Sequence, residues 1–459
     1  MLTFILIDSI EKNNYCTLIN FESDNNIQTI DSSSDVIQIK TVEEFKEYFN
    51  SNYNGIYDFL EDCHDYIRSM KIIINLYNTN HKYKKYDKVE FYIAKSSFTN
   101  NFGKFITTPY YKYAFSKKSG KFIRWGLYLG GEDIEVKYSP LGPEIADIEI
   151  STICHGPNNK PCSWCYKSNI AQGKYMTLDE YKKVLKVLNH NHTLTQVALG
   201  IGDIDSNPDL EKIIKYTRYE MGIIPNITIN GFRMNDYYYD LLSKYCGAVS
   251  VSRYDDTVMT ETIKNLYLYN RFKTENSTLQ GINIHMILCN DTFESCMNFV
   301  KNIYTQNKLR SYVNAIIFLT MKPVGCRNNF KSNITEEQHK ELIDYCLEND
   351  IPIGFDSCGC YNFLKSIQNH KNFEYFNMLA EPCESSLFSI YVNVDGYAYP
   401  CSFYEQTVTD KESYPYLLFD NTDLMMDVWF NEKFNSFRKT LLSTSINEFY
   451  CRRCPLFNI

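Results

Sequence analysis

The feature that most constrains this chain is a regular alternation of apolar, strand-like runs with amphipathic, helix-like runs between residues 144 and 357. Seven apolar runs recur there: EIADIEIST, QVALGI, NITING, AVSVSRYD, GINIHMIL, VNAIIFLTMK and IPIGFDS. Strands that alternate with helices form a parallel sheet through right-handed crossovers. The sequence therefore predicts an α/β fold that closes into a full or partial barrel, with functional groups at the carboxyl ends of the strands.

Two further regions flank this pattern. Residues 1–140 are predicted to form an N-terminal α+β domain without a catalytic motif, beginning with MLTFILID as a strand and not as a signal peptide. Its helix-like segment at 40–70 is amphipathic and suits either its own core or a partner. SPLGPE at 139–144 marks the boundary to a domain at 141–357. Residues 358–459 read as a small extension with a hairpin at Asp395-Gly396 and a helix at 423–442.

Charge and apolar content exclude several classes of protein. The 459 residues carry a formal net charge of -8, which disfavours non-specific binding to nucleic acid. No apolar run approaches the roughly 20 residues that span a bilayer. Abundant Asn, Lys, Ile and Tyr are typical of an AT-rich bacterial or viral genome. We therefore expect a soluble, cytoplasmic protein that does not bind membranes.

Sixteen cysteines are unusual for a chain of this kind. Without a secretory signal, metal binding, redox chemistry or burial explains thiols better than disulfides do. Six isolated cysteines are expected to be small buried hydrophobes, namely Cys16, Cys63, Cys246, Cys289, Cys296 and Cys346. Most of the remaining cysteines fall into two groups, at 154–165 and at 358–454.

The first group lies on a loop directly after the first strand of the alternating region. Cys154, Cys162 and Cys165 have the spacing C-x7-C-x2-C. Three thiolates on one loop can hold three irons of a four-iron cluster and leave the fourth iron open. The alternative is a zinc site completed by His155 or by a distant cysteine. The position at the carboxyl end of a strand, where cofactors bind in such folds, favours the cluster.

Together these motifs resemble radical S-adenosylmethionine (SAM) enzymes that carry a SPASM-type extension. The resemblance covers residues 140–459 and implies a partial (β/α)6-type barrel. It also implies a [4Fe-4S] cluster that binds SAM through its open iron. Trp164 stands where the family usually has an aromatic residue, before the third cysteine. The usual C-x3-C-x2-C spacing is lengthened here by four residues.

The resemblance extends to the ends of the next strands. Gly200-Ile201-Gly202-Asp203 lies where the family has a turn that contacts the SAM amino group, with Asp203 as its carboxylate and Asp205 as an alternative. The remaining candidates follow strands three to six and are implied to contact SAM: Asn230, Ser252, Arg253, Asn283 with His285, and Leu319.

The second cysteine group resembles a truncated SPASM or twitch domain. Cys383 and Cys401 have the spacing C-x12-G-x4-C around Gly396, and Cys451 and Cys454 supply two further thiolates. The resemblance implies one auxiliary [4Fe-4S] cluster. Cys358 or Cys360 could replace one ligand or leave an open iron, and Cys326 is a weaker candidate. The alternative here is a structural zinc ribbon.

The implied activity is reductive cleavage of SAM to a 5′-deoxyadenosyl radical, which abstracts hydrogen from a substrate. SPASM-bearing relatives mostly modify peptides or proteins, so a peptide or protein substrate is expected. A reductase partner such as flavodoxin or ferredoxin would supply the electron. Two alternatives stay open: an enzyme that modifies a small metabolite or nucleoside, and a non-catalytic iron–sulfur or zinc redox protein.

Overall fold

The chain divides into two compact units, 1–141 and 142–459. The computed structural model describes residues 137–328, 330, 333–443, 445–446, 451–452 and 454–457. In the N-terminal region it describes 2–4, 7–8, 15–16, 89–91, 96–99, 103–107, 112–118, 120–125, 128–129 and 132–133. The expected helix at 40–70, Cys63 and the side chain of Cys16 lie outside the described residues.

The described strands of the N-terminal unit form small sheets. Ile106, Tyr113 and Phe115, on two paired strands of the largest of these sheets, are buried. The expected first strand is found in two pieces, one of which pairs in parallel with a distant segment and the other in a short antiparallel pair. The strands are Leu2–Phe4, Ile7–Asp8, Tyr15–Cys16, Val89–Phe91, Ser96–Thr99, Gly103–Thr107, Lys112–Ser116, Phe122–Trp125, Tyr128–Leu129 and Glu132–Asp133.

The second unit is built on a nine-stranded sheet with the order β7-β6-β5-β4-β3-β2-β1-β8-β9. β1 to β7 are all parallel, as the alternation predicts. The strands are β1 Ile145–Glu149, β2 Gln196–Gly200, β3 Ile224–Ile229, β4 Ala248–Ser252, β5 Gly281–Leu288, β6 Ala315–Thr320, β7 Ile353–Phe355, β8 Ser389–Val392 and β9 Ala398–Tyr399.

Helices connect the parallel strands. α1 begins at a capping box, in which the Thr177 side chain accepts from the Glu180 amide and the Glu180 carboxylate accepts from the Thr177 amide. Short π-helical turns extend α2, α4 and α5. The helices are α1 Leu178–Leu188, α2 Leu210–Lys215, α3 Asp236–Tyr245, α4 Asp256–Leu268, α5 Phe293–Asn298, α6 Tyr304–Gln306, α7 Glu336–Glu348, α8 Cys360–Ser366, α9 Phe373–Leu379 and α10 Glu432–Ser443.

The alternation of β1 separates the core of this unit from its cavity. Ala146 and Ile148 are fully buried in the apolar core. Asp147, Glu149 and Ser151, at alternate positions, line a cavity. Four of the isolated cysteines are also buried in this unit, which confirms their expected structural role: Cys246, Cys289, Cys296 and Cys346.

The C-terminal extension is continuous with the sheet. β8 pairs in parallel with β1, and β9 returns antiparallel to β8 after the predicted hairpin turn. The expected single helix at 423–442 is wrong, because a π-helical turn at Leu424–Trp429 precedes α10. Asn431 caps the start of α10, because its Oδ1 accepts a hydrogen bond from the Phe434 amide at 2.9 Å. Two short strands, β10 Ser445–Ile446 and β11 Cys451–Arg452, pair near the end.

Candidate functional site

The first cysteine loop follows β1 and faces one cavity. Cys154, Cys162 and Cys165 carry free, partly exposed thiols, and all three line this cavity. The seven residues between the first two cysteines fold back through a 3-10 turn at Pro157–Asn159. The lengthened spacing therefore still brings three thiols to one wall, as three ligands of a cluster require.

These thiols influence one another electrostatically. Burial is the largest cause that raises the pKa of Cys154 to about 11, and Asp203 and Cys165 contribute. Burial, Cys165 and Cys154 raise the pKa of Cys162 to about 12. Thiolates packed this closely repel one another unless cations bind among them. The residues present therefore fit an iron–sulfur cluster, whose binding would displace the thiol protons.

Two glycines allow the loop to pack closely. Gly156 has φ +73°, and a Cβ there would lie 2.1 Å from the Lys160 carbonyl oxygen. Gly202, in the turn after β2, approaches so closely that a Cβ would lie 2.1 Å from the Ile153 oxygen. Any side chain at Gly202 would displace the start of the cysteine loop.

Asp203 lies behind this loop. Its side chain is nearly buried, and its Oδ2 accepts from the His155 amide at 2.8 Å. His155 Nδ1 is 2.7 Å from the same oxygen, and Asn230 Nδ2 donates to Oδ1 at 2.9 Å. Burial alone would raise the pKa of Asp203, but these hydrogen bonds and Arg233 lower it below its usual value. Asp203 thus holds the cysteine loop and Asn230 in place. Its contact with the SAM ammonium stays a prediction.

Polar side chains at the ends of β3 and β4 line the cavity next to this turn. Asn230 also donates to the Gly202 carbonyl at 3.2 Å. Arg253 is clamped by Asp256, with Nε and Nη2 donating at 2.6 and 3.0 Å. Ser252 lies beside it at the end of β4 and also lines the cavity. These three predicted residues are therefore brought together at one end of the sheet.

The remaining predicted contacts are divided between the cavity wall and its surroundings. Trp164 lines the cavity and stacks on Phe330 with 5.6 Å between ring centroids. Leu319 and His285 also line it, and burial lowers the pKa of His285 to about 4, so His285 is neutral at pH 7. Asn283 precedes His285 by two residues on β5 and is not one of the residues that line the cavity.

Four described thiols of the second group lie within electrostatic reach of one another. Burial raises the pKa of Cys358 most, and Cys383 and Cys454 contribute. Burial is also the largest cause that raises the pKa of Cys401 to about 12, and the same two cysteines contribute. Cys360 is buried in α8, and Cys326 is exposed beside Ser168, whose Oγ accepts from its amide. The Cys451 backbone lies in β11, and its side chain is not among those described.

A buried ionic cluster joins the two cysteine loops and was missed in the sequence. Lys167, two residues after Cys165, lies 3.2 Å from Glu149 and also pairs with Glu405, four residues after Cys401. All three side chains are at most 8% exposed. The Lys167 ammonium also donates to the Tyr391 hydroxyl at 2.6 Å. No local pattern could have predicted the Lys167–Glu405 pair, which joins residues 238 positions apart.

Two further sets of contacts connect the cavity wall with the second cysteine group. Tyr166 is hydrogen-bonded to Ser402 and lies 4.6 Å from the Phe403 ring, between centroids. Lys322, also missed, lines the cavity after β6 and pairs with Asp356. Its ammonium is hydrogen-bonded to Cys358 as well. Side chains of the cavity wall therefore contact the second cysteine group directly.

The cavity that these residues surround has a volume of about 750 Å³. Among the described residues, no three His, Cys, Asp or Glu side chains lie close enough together to bind one single metal ion, so the three thiols on the cavity wall are spaced apart. In the same part of the chain, no helix has the length and apolar character needed to cross a membrane.

Comparisons with known proteins agree with this architecture. The family model SPASM, an iron–sulfur cluster-binding domain, matches residues 383–455. SuiB from Streptococcus suis shares the fold, with a TM-score of 0.51 and 13% identity over 74% of this chain and 90% of SuiB.

Two solved complexes are also similar. SuiB bound to precursor peptide SuiA has a TM-score of 0.49 and 16% identity over 65% of this chain and 67% of that one. Native anSMEcpe with bound AdoMet and a Cp18Cys peptide has a TM-score of 0.43 and 16% identity over 66% and 84%. No curated protein matches the chain.

Proposed function

We propose that this chain, a radical SAM-type barrel that carries a SPASM domain, is an enzyme that reductively cleaves SAM and modifies a peptide or protein. The observation that carries the proposal is the convergence of Cys154, Cys162 and Cys165 on one cavity at the carboxyl ends of parallel strands. The Gly202 turn and the ends of β3 and β4 complete the cavity wall. Residues at successive strand ends, among them Asn230, Ser252 and Arg253, support this assignment of the cavity.

A four-iron cluster with SAM, when bound, supplies one-electron cleavage of the carbon–sulfur bond and a 5′-deoxyadenosyl radical. Cys154, Cys162 and Cys165 would hold that cluster. Asp203 fixes the loop that carries them, and Arg253 is held in one orientation by Asp256. These fixed side chains would orient SAM in the cavity and limit the access of water to it.

The SPASM match and the size of the cavity support a peptide or protein substrate. The auxiliary cluster would be held by Cys383, Cys401 and Cys454, with Cys358 or Cys451 as the fourth ligand. A volume of about 750 Å³ lies in the upper part of the range of roughly 300–1,000 Å³ typical of ligand pockets. It leaves room for a side chain beside SAM. An electron donor such as flavodoxin or ferredoxin would reduce the enzyme.

The test is anaerobic reconstitution, followed by reduction with dithionite in the presence of SAM. We expect 5′-deoxyadenosine to form, and mass spectrometry to detect a change in a peptide encoded beside the gene. Iron without SAM cleavage would instead indicate the non-catalytic redox protein. Substrate-dependent cleavage with a metabolite or nucleoside, and with no peptide, would favour the small-molecule enzyme.

A further inference from the structure

The charged side chains that line the cavity fall into two kinds. Most are neutralised by the protein itself: Glu149 by Lys167, Arg253 by Asp256, and Lys322 by Asp356. Asp147 is different. Among the described residues it makes no hydrogen bond or ion pair, although it lines the same cavity.

The position of Asp147 on β1 explains why it has no partner. Its neighbours across the sheet are Ala198 on β2 and Tyr391 on β8. Ala198 has no polar group. The Tyr391 hydroxyl is already used, because it donates to Glu149 at 3.1 Å and accepts from Lys167. Neither of these two cross-strand neighbours therefore forms a hydrogen bond with the Asp147 carboxylate.

The Asp147 side chain is exposed to the cavity, although the surrounding protein reduces its contact with bulk water. The loss of bulk solvent raises the pKa of Asp147 to about 6, so that it is mostly ionised at pH 7.5. An ionised carboxylate in such a place is costly unless a cation or donor faces it. No described residue forms a hydrogen bond or an ion pair with it, and the nearby Tyr166 hydroxyl is hydrogen-bonded to Ser402 instead. The partner of the carboxylate is therefore left to the ligand.

We propose that Asp147 binds a cationic group of the substrate, namely the ammonium of a lysine or the guanidinium of an arginine in a peptide. This inference rests on the proposed function and specifies its substrate class. The small side chain of Ala198, its neighbour on β2, leaves space beside the carboxylate for such a group. The carboxylate would thereby select and orient a residue of the peptide next to SAM.

The probes are blocked tripeptides, acetyl-Ala-X-Ala-amide, in which X is lysine, arginine, norleucine or glutamate. Norleucine matches the length of lysine without its charge. Binding to the reconstituted holoenzyme with SAM is measured by calorimetry. We expect the lysine and arginine peptides to bind about tenfold to a hundredfold more tightly than the norleucine peptide. Butylamine is the matched free amine, and tighter binding of butylamine than of the lysine peptide would contradict a peptide source for the cation.

The isosteric variant Asp147→Asn should abolish the preference for lysine over norleucine, and Asp147→Glu should retain part of it. Asp420→Asn, which removes a carboxylate that is 81% exposed and pairs with Lys183 at the surface, controls for the change in net charge. Thermal denaturation verifies that each variant is folded.

Three results would overturn the inference. They are equal affinity for lysine and norleucine peptides in the natural protein, no binding of any tripeptide, and a preference that survives in Asp147→Asn. A loss of SAM affinity in Asp147→Asn with unchanged peptide selectivity would assign the carboxylate to SAM instead. SAM cleavage is measured separately in each variant. Selectivity without any cleavage would therefore refute the proposed function and leave the cation site standing.

Discussion

The two cysteine groups of this protein are assembled in opposite ways. Cys154, Cys162 and Cys165 lie on one loop, partly exposed, at the end of a single strand. The second group gathers thiols from four separate segments: Cys358 after β7, Cys383 before β8, Cys401 after β9, and Cys454 at the chain end. A local loop can present its ligands with little else folded, whereas the second group exists only once the whole unit is folded.

This difference separates the consequences of losing each group. The first group depends on its own loop and on the turns that pack against it. The second depends on tertiary structure and, through Lys167 and Glu405, is connected to the first. Damage to the first group should therefore stay local, and damage to the second should also affect stability.

The largest expected effect is the loss of SAM cleavage when all three cysteines of the first group are replaced by alanine. Without three thiolates, the cluster has no ligands and SAM has no site. We expect 5′-deoxyadenosine formation to fall below detection, and iron to fall by one cluster's worth. Cys246→Ala, at a buried cysteine of the core, is the matched control and should retain both. Continued release of 5′-deoxyadenosine by the triple variant would refute the assignment.

Deletion of residues 451–459 tests the second cysteine group. It removes Cys451 and Cys454, so we expect iron and sulfide to fall by about one cluster while the first cluster remains. Iron analysis and electron paramagnetic resonance of the truncated protein decide this. A full complement of iron after truncation would contradict a role for either cysteine.

The fourth auxiliary ligand is tested at the end of β7. We expect Cys358→Ala to reduce auxiliary iron, because Cys358 lies within reach of Cys383 and Cys454. Cys360→Ala, at the buried cysteine two residues later, should leave the iron unchanged. Equal iron in the two variants would assign the fourth position to Cys451.

Replacement of Lys167 by methionine tests the connection between the groups. It would leave Glu149 and Glu405 buried without their cation, and removal of one partner of a buried ion pair costs roughly 3–5 kcal/mol of unfolding free energy. Lys183→Met, at an exposed pair with Asp420, should cost at most about 1 kcal/mol. Urea denaturation of the metal-free proteins measures both losses.

The Lys167 effect should depend on pH in a defined direction. Burial already raises the pKa of Glu149, and loss of Lys167 would raise it further. A carboxyl whose folded pKa lies above its unfolded value destabilises the fold at higher pH. The penalty should therefore shrink as the pH falls through the folded pKa. An equal penalty at pH 7.5 and pH 5 would refute the ionic explanation.

The smallest effect is expected for Asp203→Ala. A charge-assisted hydrogen bond contributes roughly 1.5–3 kcal/mol, so SAM affinity should weaken by about tenfold to a hundredfold. Asp205→Ala is the control, because Asp205 is half-exposed and pairs with Arg233. Calorimetry with the reconstituted protein measures the affinities. Loss of affinity in Asp205→Ala alone would assign the ammonium contact to that residue.

Much of the architecture could be predicted from the sequence because its signals are local. The seven parallel strands, the capping box at Thr177 and the hairpin turn at Gly396 all follow from patterns within a few residues. The SPASM-type extension is confirmed by the family model at 383–455, and the predicted α/β fold is shared with SuiB.

What could not be predicted depends on contacts between distant segments. Nothing in the segment SIYV indicates that β8 pairs with β1, since any exposed strand edge offers the same backbone groups. Lys167, Lys322 and Glu405 read as ordinary surface charges until the fold buries them. Asp147 was likewise missed, because an acidic residue inside an apolar strand gives no sign of the space in front of it.

The pairing of β8 with β1 has a consequence for how such proteins can be recombined. β8 pairs with β1, the strand that leads into the first cysteine loop, and Glu405 supplies a counter-charge to Lys167 on that loop. An extension transplanted from another protein would have to reproduce both the backbone pairing and the buried charge. Chimaeras that exchange segments at residue 358 should therefore need a donor strand and an acid at these two positions, and the barrel and its extension would be inherited as one block.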